Sequence, residues 1–120
     1  MIKVYLVEYY TEIGKSPVFD FVCSLSSKEQ AKVLREIDLL SEFGFTLGLP
    51  HIRSIKAADG LWELRIKHSS NNFRILYFHY SKGRFVLLHA FRKTTDKTPK
   101  KDINIALKRM KNYLQRSDQT

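Results

Sequence analysis

The chain contains a single cysteine, Cys23, so no internal disulfide can staple it. That usage fits a reducing compartment. The thiol lies in the apolar stretch VFDFVCSL, which predicts an inert, buried side chain rather than a nucleophile. No apolar run approaches the ~18 residues of a membrane span. Nor does a charged-then-apolar leader open the sequence, so a cytoplasmic protein with no membrane partner is expected. His51, His68, His79 and His89 show no metal-ligand spacing with Cys or carboxylates. Gly44 and Gly48 precede neither Lys-Ser nor a helix signal, so there is no phosphate-cradling loop. No Ser/His/Asp nucleophile arrangement can be singled out, and neither metal nor cofactor is expected. Acidic residues are also scarce, 12 against 21 Lys and Arg, for a net charge of +9.

What the chain does have is enough apolar residues, 43% of 120, for one folded domain over residues 1–120 with its own core. Its positive charge is confined to one half. Residues 1–60 carry 7 Lys and Arg against 8 Asp and Glu, a net of −1; residues 61–120 carry 14 against 4, a net of +10. Folding gains nothing from like charges gathered together, whereas a polyanion partner, RNA or DNA ahead of a membrane surface, explains them. The competing reading is a basic surface that only confers solubility.

β-Branched and aromatic residues predict a strand over residues 2–10. Ser16 and Pro17 then open a short helix over 17–25. Ser26 or Ser27 caps a second helix with Glu29 in its first turn, and Gly44 ends it. Its apolar stripe is predicted to hold Ala31, Leu34, Ile37 or Asp38, and Leu40 or Ser41, widened by Val33, Leu39 and Phe43. Residues 45–60 read mainly as loop with a short strand around 52–55. Three strands follow, about 61–67, 73–80 and 85–93, joined by a Ser69–Asn72 turn and a two-residue Lys82-Gly83 turn. Thr98-Pro99 breaks the sheet. A closing helix over 102–115 carries Ile103, Leu107, Met110 and Leu114 on one stripe, with Lys108, Arg109 and Lys111 outside it.

Alternation along the strands sorts side chains onto two faces. One collects Trp62, Leu64, Ile66, Phe73, Ile75, Tyr77, Val86, Leu88 and Ala90, and is expected to be the core face. The other collects Glu63, Arg65, Lys67, Arg74, Leu76, Phe78, Tyr80, Phe85, Leu87, His89, Phe91 and Lys93. Closing both turns symmetrically sets rows Glu63–Leu76–His89 and Arg65–Arg74–Phe91, with Lys93 diagonal to Arg74. Three neighbouring cations need an anion among them, and a phosphodiester matches guanidinium geometry. Phe91 adds a surface for an unstacked base. An ordinary polar sheet face is the alternative. Glu63 beside His89 is the only proton-transfer pair that the register suggests, and a plain surface pair is the simpler reading.

The series GLWELR, FRILYF and LLHAFRKTTDKTP, followed by a helix opening at Asp102-Ile103 and containing Ala106, resembles the phage-derived Gp49-like, HigB-type toxins of the RelE/ParE superfamily. The upstream KSPVFDFV segment and the region 25–48 share the resemblance. It implies an α+β, RelE-like fold: a twisted, mainly antiparallel sheet packed by an N-terminal α-hairpin and a C-terminal helix. It also implies the toxin of a type II toxin–antitoxin module, a ribosome-dependent mRNA endoribonuclease neutralised by a cognate helix-turn-helix-type antitoxin. Through that antitoxin the complex would bind operator DNA. By the family pattern the catalytic cations map to Arg65, Arg74 and Lys93. Beside them Glu63 or His89 are the base candidates, and Arg92, Lys67 and Phe91 the candidate RNA contacts. Glu63 stands where related toxins place a Lys, and no C-terminal tyrosine matches the one some relatives use. An acidic or amphipathic antitoxin segment would cover the basic face or dock on the helices, with Lys108, Arg109 and Lys111 of the closing helix an alternative surface. The alternatives are a ParE-like, non-nuclease inhibitor of DNA gyrase and a non-catalytic nucleic-acid-binding protein.

Overall fold

The computed structural model describes residues 4–81 and 83–118. Along the chain run β1 (Leu6–Tyr9), α1 (Pro17–Cys23), α2 (Ser27–Phe43), β2 (Ile52–Ser54), β3 (Trp62–His68), β4 (Asn71–Ser81), β5 (Arg84–Arg92) and α3 (Lys100–Asp118), with a 3₁₀ turn over Gly44–Leu47. The strands form one mixed sheet in the order β1-β5-β4-β3-β2. β1 lies parallel to β5, and the other three pairings are antiparallel. This is the expected α+β class. The start of the predicted first strand, residues 2–3, lies outside the described residues. No described helix is long and apolar enough to cross a membrane.

Local chemistry explains the helix boundaries. Ser26 accepts from the Glu29 amide while Glu29 accepts from the Ser26 amide, a reciprocal capping box. Ser16 sits at the N-cap of α1 without a side-chain cap bond, and Pro17 follows it as expected. α1 buries Val18 and Val22, four residues apart, which turns Cys23 outward. The expectation of a buried thiol is therefore wrong: Cys23 is exposed. α2 buries Val33, Ile37, Leu40 and Ser41 but leaves Ala31, Leu34 and Phe43 out. Its stripe is turned because Ser41 ties the helix to the chain before β1, donating its hydroxyl to the Tyr5 carbonyl and accepting the Tyr5 amide at its own carbonyl.

The same packing favours glycine at position 44. Its φ is +58°, and an added Cβ would stand 2.5 Å from the Tyr5 ring. Gly44→Ala is expected to cost about 1–3 kcal/mol. Urea titration should show this as a lower midpoint with an unchanged slope.

Both faces of the sheet are covered. Val18, Val22, Val33, Ile37 and Leu40 pack with Leu64, Ile66, Phe73, Ile75 and Tyr77 on one side. Ile103, Ala106 and Tyr113 of α3 pack with Leu76, Phe78, Val86 and Leu88 on the other. The expected rows are present: Arg65↔Arg74↔Phe91 and Glu63↔Leu76↔His89. Asn71 and Asn72 belong to β4, so the predicted four-residue turn shrinks to Ser69-Ser70 and its centre moves one residue earlier, where the Arg65↔Arg74 pairing requires it; Ser69 has φ 55°. Lys82 of the other turn lies outside the described residues; Ser81 pairs with Arg84 around it, and Gly83 has φ 72°.

Simple alternation fails along β5. Leu76 pairs with His89 but Tyr77 with Leu87, leaving Leu88 as an extra residue; His79 pairs with Phe85 but Ser81 with Arg84, leaving Tyr80 extra on β4. The two bulges cancel, so the register is right at both ends and offset between them. Phe85 and Leu87 consequently join the α1/α2 core, and Val86 and Leu88 the α3 core, the reverse of the assignment made from alternation.

Candidate functional site

The sheet places Arg65 and Arg74 as direct neighbours on β3 and β4, while the Lys93 amide, just beyond β5, donates to the Asn72 carbonyl. Arg65, Arg74, Arg92 and Lys93 line one open cleft of about 530 Å³, together with Asn72 and Asp96 among others. The three cations expected to meet do so. Arg92 reaches the cleft from the opposite face of β5, its guanidinium carbon 4.9 Å from the centre of the Phe73 ring. Lys67 is exposed and lines an adjoining cleft with Arg65 and Arg74. Phe91 is half-buried and stacked on His89, ring centres 5.5 Å apart at 20°.

The cations are held by an internal carboxylate. Glu63 is buried at 2% exposure, and its Oε2 lies 3.8 Å from Nε of both Arg65 and Arg74. Its Oε1 accepts the Thr98 hydroxyl at 2.8 Å. At 3.8 Å neither Nε forms a hydrogen bond, and both are buried without a hydrogen-bond partner. One carboxylate thus faces two guanidiniums and leaves positive charge in excess. Burial pushes the Arg74 guanidinium down from its ordinary value, Glu63 opposes this, and Arg65 reinforces it. Burial likewise lowers Lys93, against Glu63 and with Arg74, Arg65 and Arg53. An anion entering the cleft relieves this repulsion.

The suggested Glu63–His89 pair does not form; each side chain is engaged elsewhere. His89 Nε2 lies 2.7 Å from Asp102 Oδ1, and its Nδ1 is 3.3 Å from the Arg109 guanidinium, which also donates to the Leu88 carbonyl. Arg109 therefore turns inward, contrary to its expected place outside α3, whereas Lys108 and Lys111 are exposed. The inward stripe of α3 runs through Asp102, Ile103, Ala106 and Tyr113, leaving Leu114 at 38% exposure. The partnerships of Thr98 with Glu63 and of Asp102 and Arg109 with His89 are not among the sequence expectations. The seven-residue spacing of Asp102 and Arg109 was the available signal, since it puts both on one helix face.

Burial lowers the pKa of His89; the Asp102 hydrogen bond and charge oppose this, while Arg109 and Lys101 add to it. The folded state binds this proton less tightly than the unfolded chain. Its contribution to stability is therefore complete above the ordinary value of 6.5 and is lost as pH falls from there toward the folded value. His89→Gln should lose less stability than wild type between about pH 7.5 and about pH 5.5, read from urea midpoints. A larger loss in the variant would mean that Asp102 outweighs burial.

Among the described residues no group of three or more His, Cys, Asp or Glu could hold a metal ion. No curated protein matches the chain. The family described as phage-derived protein Gp49-like matches residues 20–111, a span from α1 into α3 that takes in every site residue above. The chain belongs to this Gp49-like family.

Proposed function

We propose that this chain is the toxin of a type II toxin–antitoxin module, a metal-independent, ribosome-dependent mRNA endoribonuclease on a RelE/HigB-like fold. Gp49-like proteins are associated with toxin–antitoxin modules. The observation that carries the nuclease reading is the cleft in which Arg65, Arg74 and Lys93 converge, its two arginines held by one buried carboxylate.

In this reading a phosphodiester of the mRNA enters the cleft. The ribose 2′-hydroxyl attacks the adjacent phosphate, and Arg65 and Arg74 stabilise the charge developing on its oxygens. A guanidinium stays protonated, so its role is electrostatic rather than that of a base. Lys93 contacts the phosphate or assists the leaving 5′-oxygen. Glu63 and His89, the base candidates from sequence, have structural work instead: Glu63 faces the two arginines, and His89 joins β5 to α3. Arg92 and Lys67 extend the positive rim for flanking phosphates, and the His89–Phe91 ring pair offers a surface beside it. The ribosome orients the mRNA. A helix-turn-helix-type antitoxin with an acidic or amphipathic segment covers the basic face and carries the complex to operator DNA.

End chemistry tests the reaction. Purified protein added to programmed ribosomes with chelator present should yield fragments ending in a 2′,3′-cyclic phosphate and starting with a 5′-hydroxyl. Fragments with a 3′-hydroxyl and a 5′-phosphate would rule out attack by the ribose.

A further inference from the structure

One row of the sheet continues past the arginines. β2 pairs with β3 at Ile52↔Leu64, and one step further the Arg65 amide donates to the His51 carbonyl at 2.7 Å. The row is therefore His51, Arg65, Arg74, Phe91. Adjacent strands lie about 4.8 Å apart, so His51 stands about 5 Å from Arg65 and about 10 Å from Arg74 along it. All three line one cleft of about 280 Å³ that adjoins the cation cleft through Arg65, Arg74 and Asn72.

The imidazole is held from behind. Glu36 of α2 is buried at 3% exposure although it is a carboxylate; its Oε2 lies 3.0 Å from His51 Nδ1, and its Oε1 3.2 Å from Lys32 Nζ. A carboxylate accepts only, so Nδ1 carries the proton in the neutral ring and Nε2 keeps its lone pair. Nε2 has no partner among the described residues. The His51 side chain is 36% exposed, in contact with the cleft. Neither base candidate from sequence offers as much: Glu63 has both oxygens facing donors or cations, and both ring nitrogens of His89 are engaged.

We propose that His51, oriented by Glu36, accepts the proton of the ribose 2′-hydroxyl next to the phosphate bound by Arg65 and Arg74. The proposal rests on the nuclease reading. In the step the 2′-oxygen–phosphorus bond forms, the 2′ proton moves to His51 Nε2 and the phosphorus–5′-oxygen bond breaks. The 5′-oxygen takes a proton from solvent, directly or by way of Lys93, and His51 later returns its own to solvent. His51 is the catalytic residue and Glu36 a positioning residue. The charged groups that line this cleft with the imidazole are Lys32 and Glu36 from α2 and Arg65, Lys67 and Arg74 from the sheet.

The test is single-turnover cleavage of mRNA on programmed ribosomes by the full chain. His51→Ala should slow cleavage by at least ~100-fold, and free imidazole should restore part of the rate. Arg74→Ala should slow it without rescue. Glu36→Gln should cleave at an intermediate rate with a displaced pH profile. His51→Gln, which keeps a hydrogen-bond donor toward Glu36, should be slow and unrescued, and thermal melts confirm that each variant folds. Wild-type cleavage that persists within threefold in folded His51→Ala or His51→Gln overturns the proposal and leaves the nuclease reading standing. A wild type that cleaves nothing overturns both.

Discussion

Arg74→Ala should slow RNA cleavage by roughly two to three orders of magnitude while leaving a folded protein. Removing one donor to a developing oxyanion costs roughly 10²–10³ in rate, and Arg74 stands at the centre of the row, between Arg65 and Phe91. Arg74 is buried at 7% exposure, and its guanidinium is anchored by a 3.0 Å bond to the Phe73 carbonyl. Such a group meets a phosphate without first paying the entropy of being ordered. Arg74→Lys should lose most of the activity as well, because an ammonium cannot match two phosphate oxygens at once. Cleavage of ribosome-bound mRNA, measured below the melting transition of each variant, checks both. Wild-type rates in either would remove this cleft from the reaction.

Glu63→Ala should act chiefly on stability. The carboxylate is the internal counter-ion of two guanidiniums, one of them buried, and it accepts the Thr98 hydroxyl. Removing one partner from a buried ionic cluster costs about 3–5 kcal/mol. The 3.8 Å separations and the 30% exposure of the Arg65 side chain place this case at the low end. Inorganic phosphate should raise the melting temperature of the variant more than that of wild type, since a bound anion replaces the lost charge. An unchanged melting temperature in the variant would show that the cluster is held by backbone packing alone.

The row Arg65–Arg74–Phe91 was legible in the sequence because register depends on the centre of each turn. The Ser69-Ser70 turn is shorter than the Ser69–Asn72 turn that composition suggests, and its centre lies one residue earlier, where the Arg65↔Arg74 pairing requires it. The two bulges were invisible: they add one residue to each strand and cancel, so nothing in the alternation of Phe85 to Leu88 marks them. Three other errors share one cause, since apolar neighbours and apolar spacing alone do not fix which side of a helix is buried. Cys23 and Leu34 face outward because Val18–Val22 and Val33–Ile37–Leu40 set the buried stripes. Arg109 turns in because His89 and the Leu88 carbonyl, far away in sequence, supply partners. Glu36 and His51 are 15 residues apart, and only the return of the chain through Pro50 into β2 brings them together.

The most direct measurement is growth and mRNA 5′-end mapping after parallel induction of the wild type and Arg74→Ala in bacterial cells. Growth arrest with new in-frame cleavage sites, both absent in the variant, is the predicted result. Arrest without cleavage that persists in the variant would contradict a ribosome-dependent nuclease on this face and point to gyrase inhibition instead.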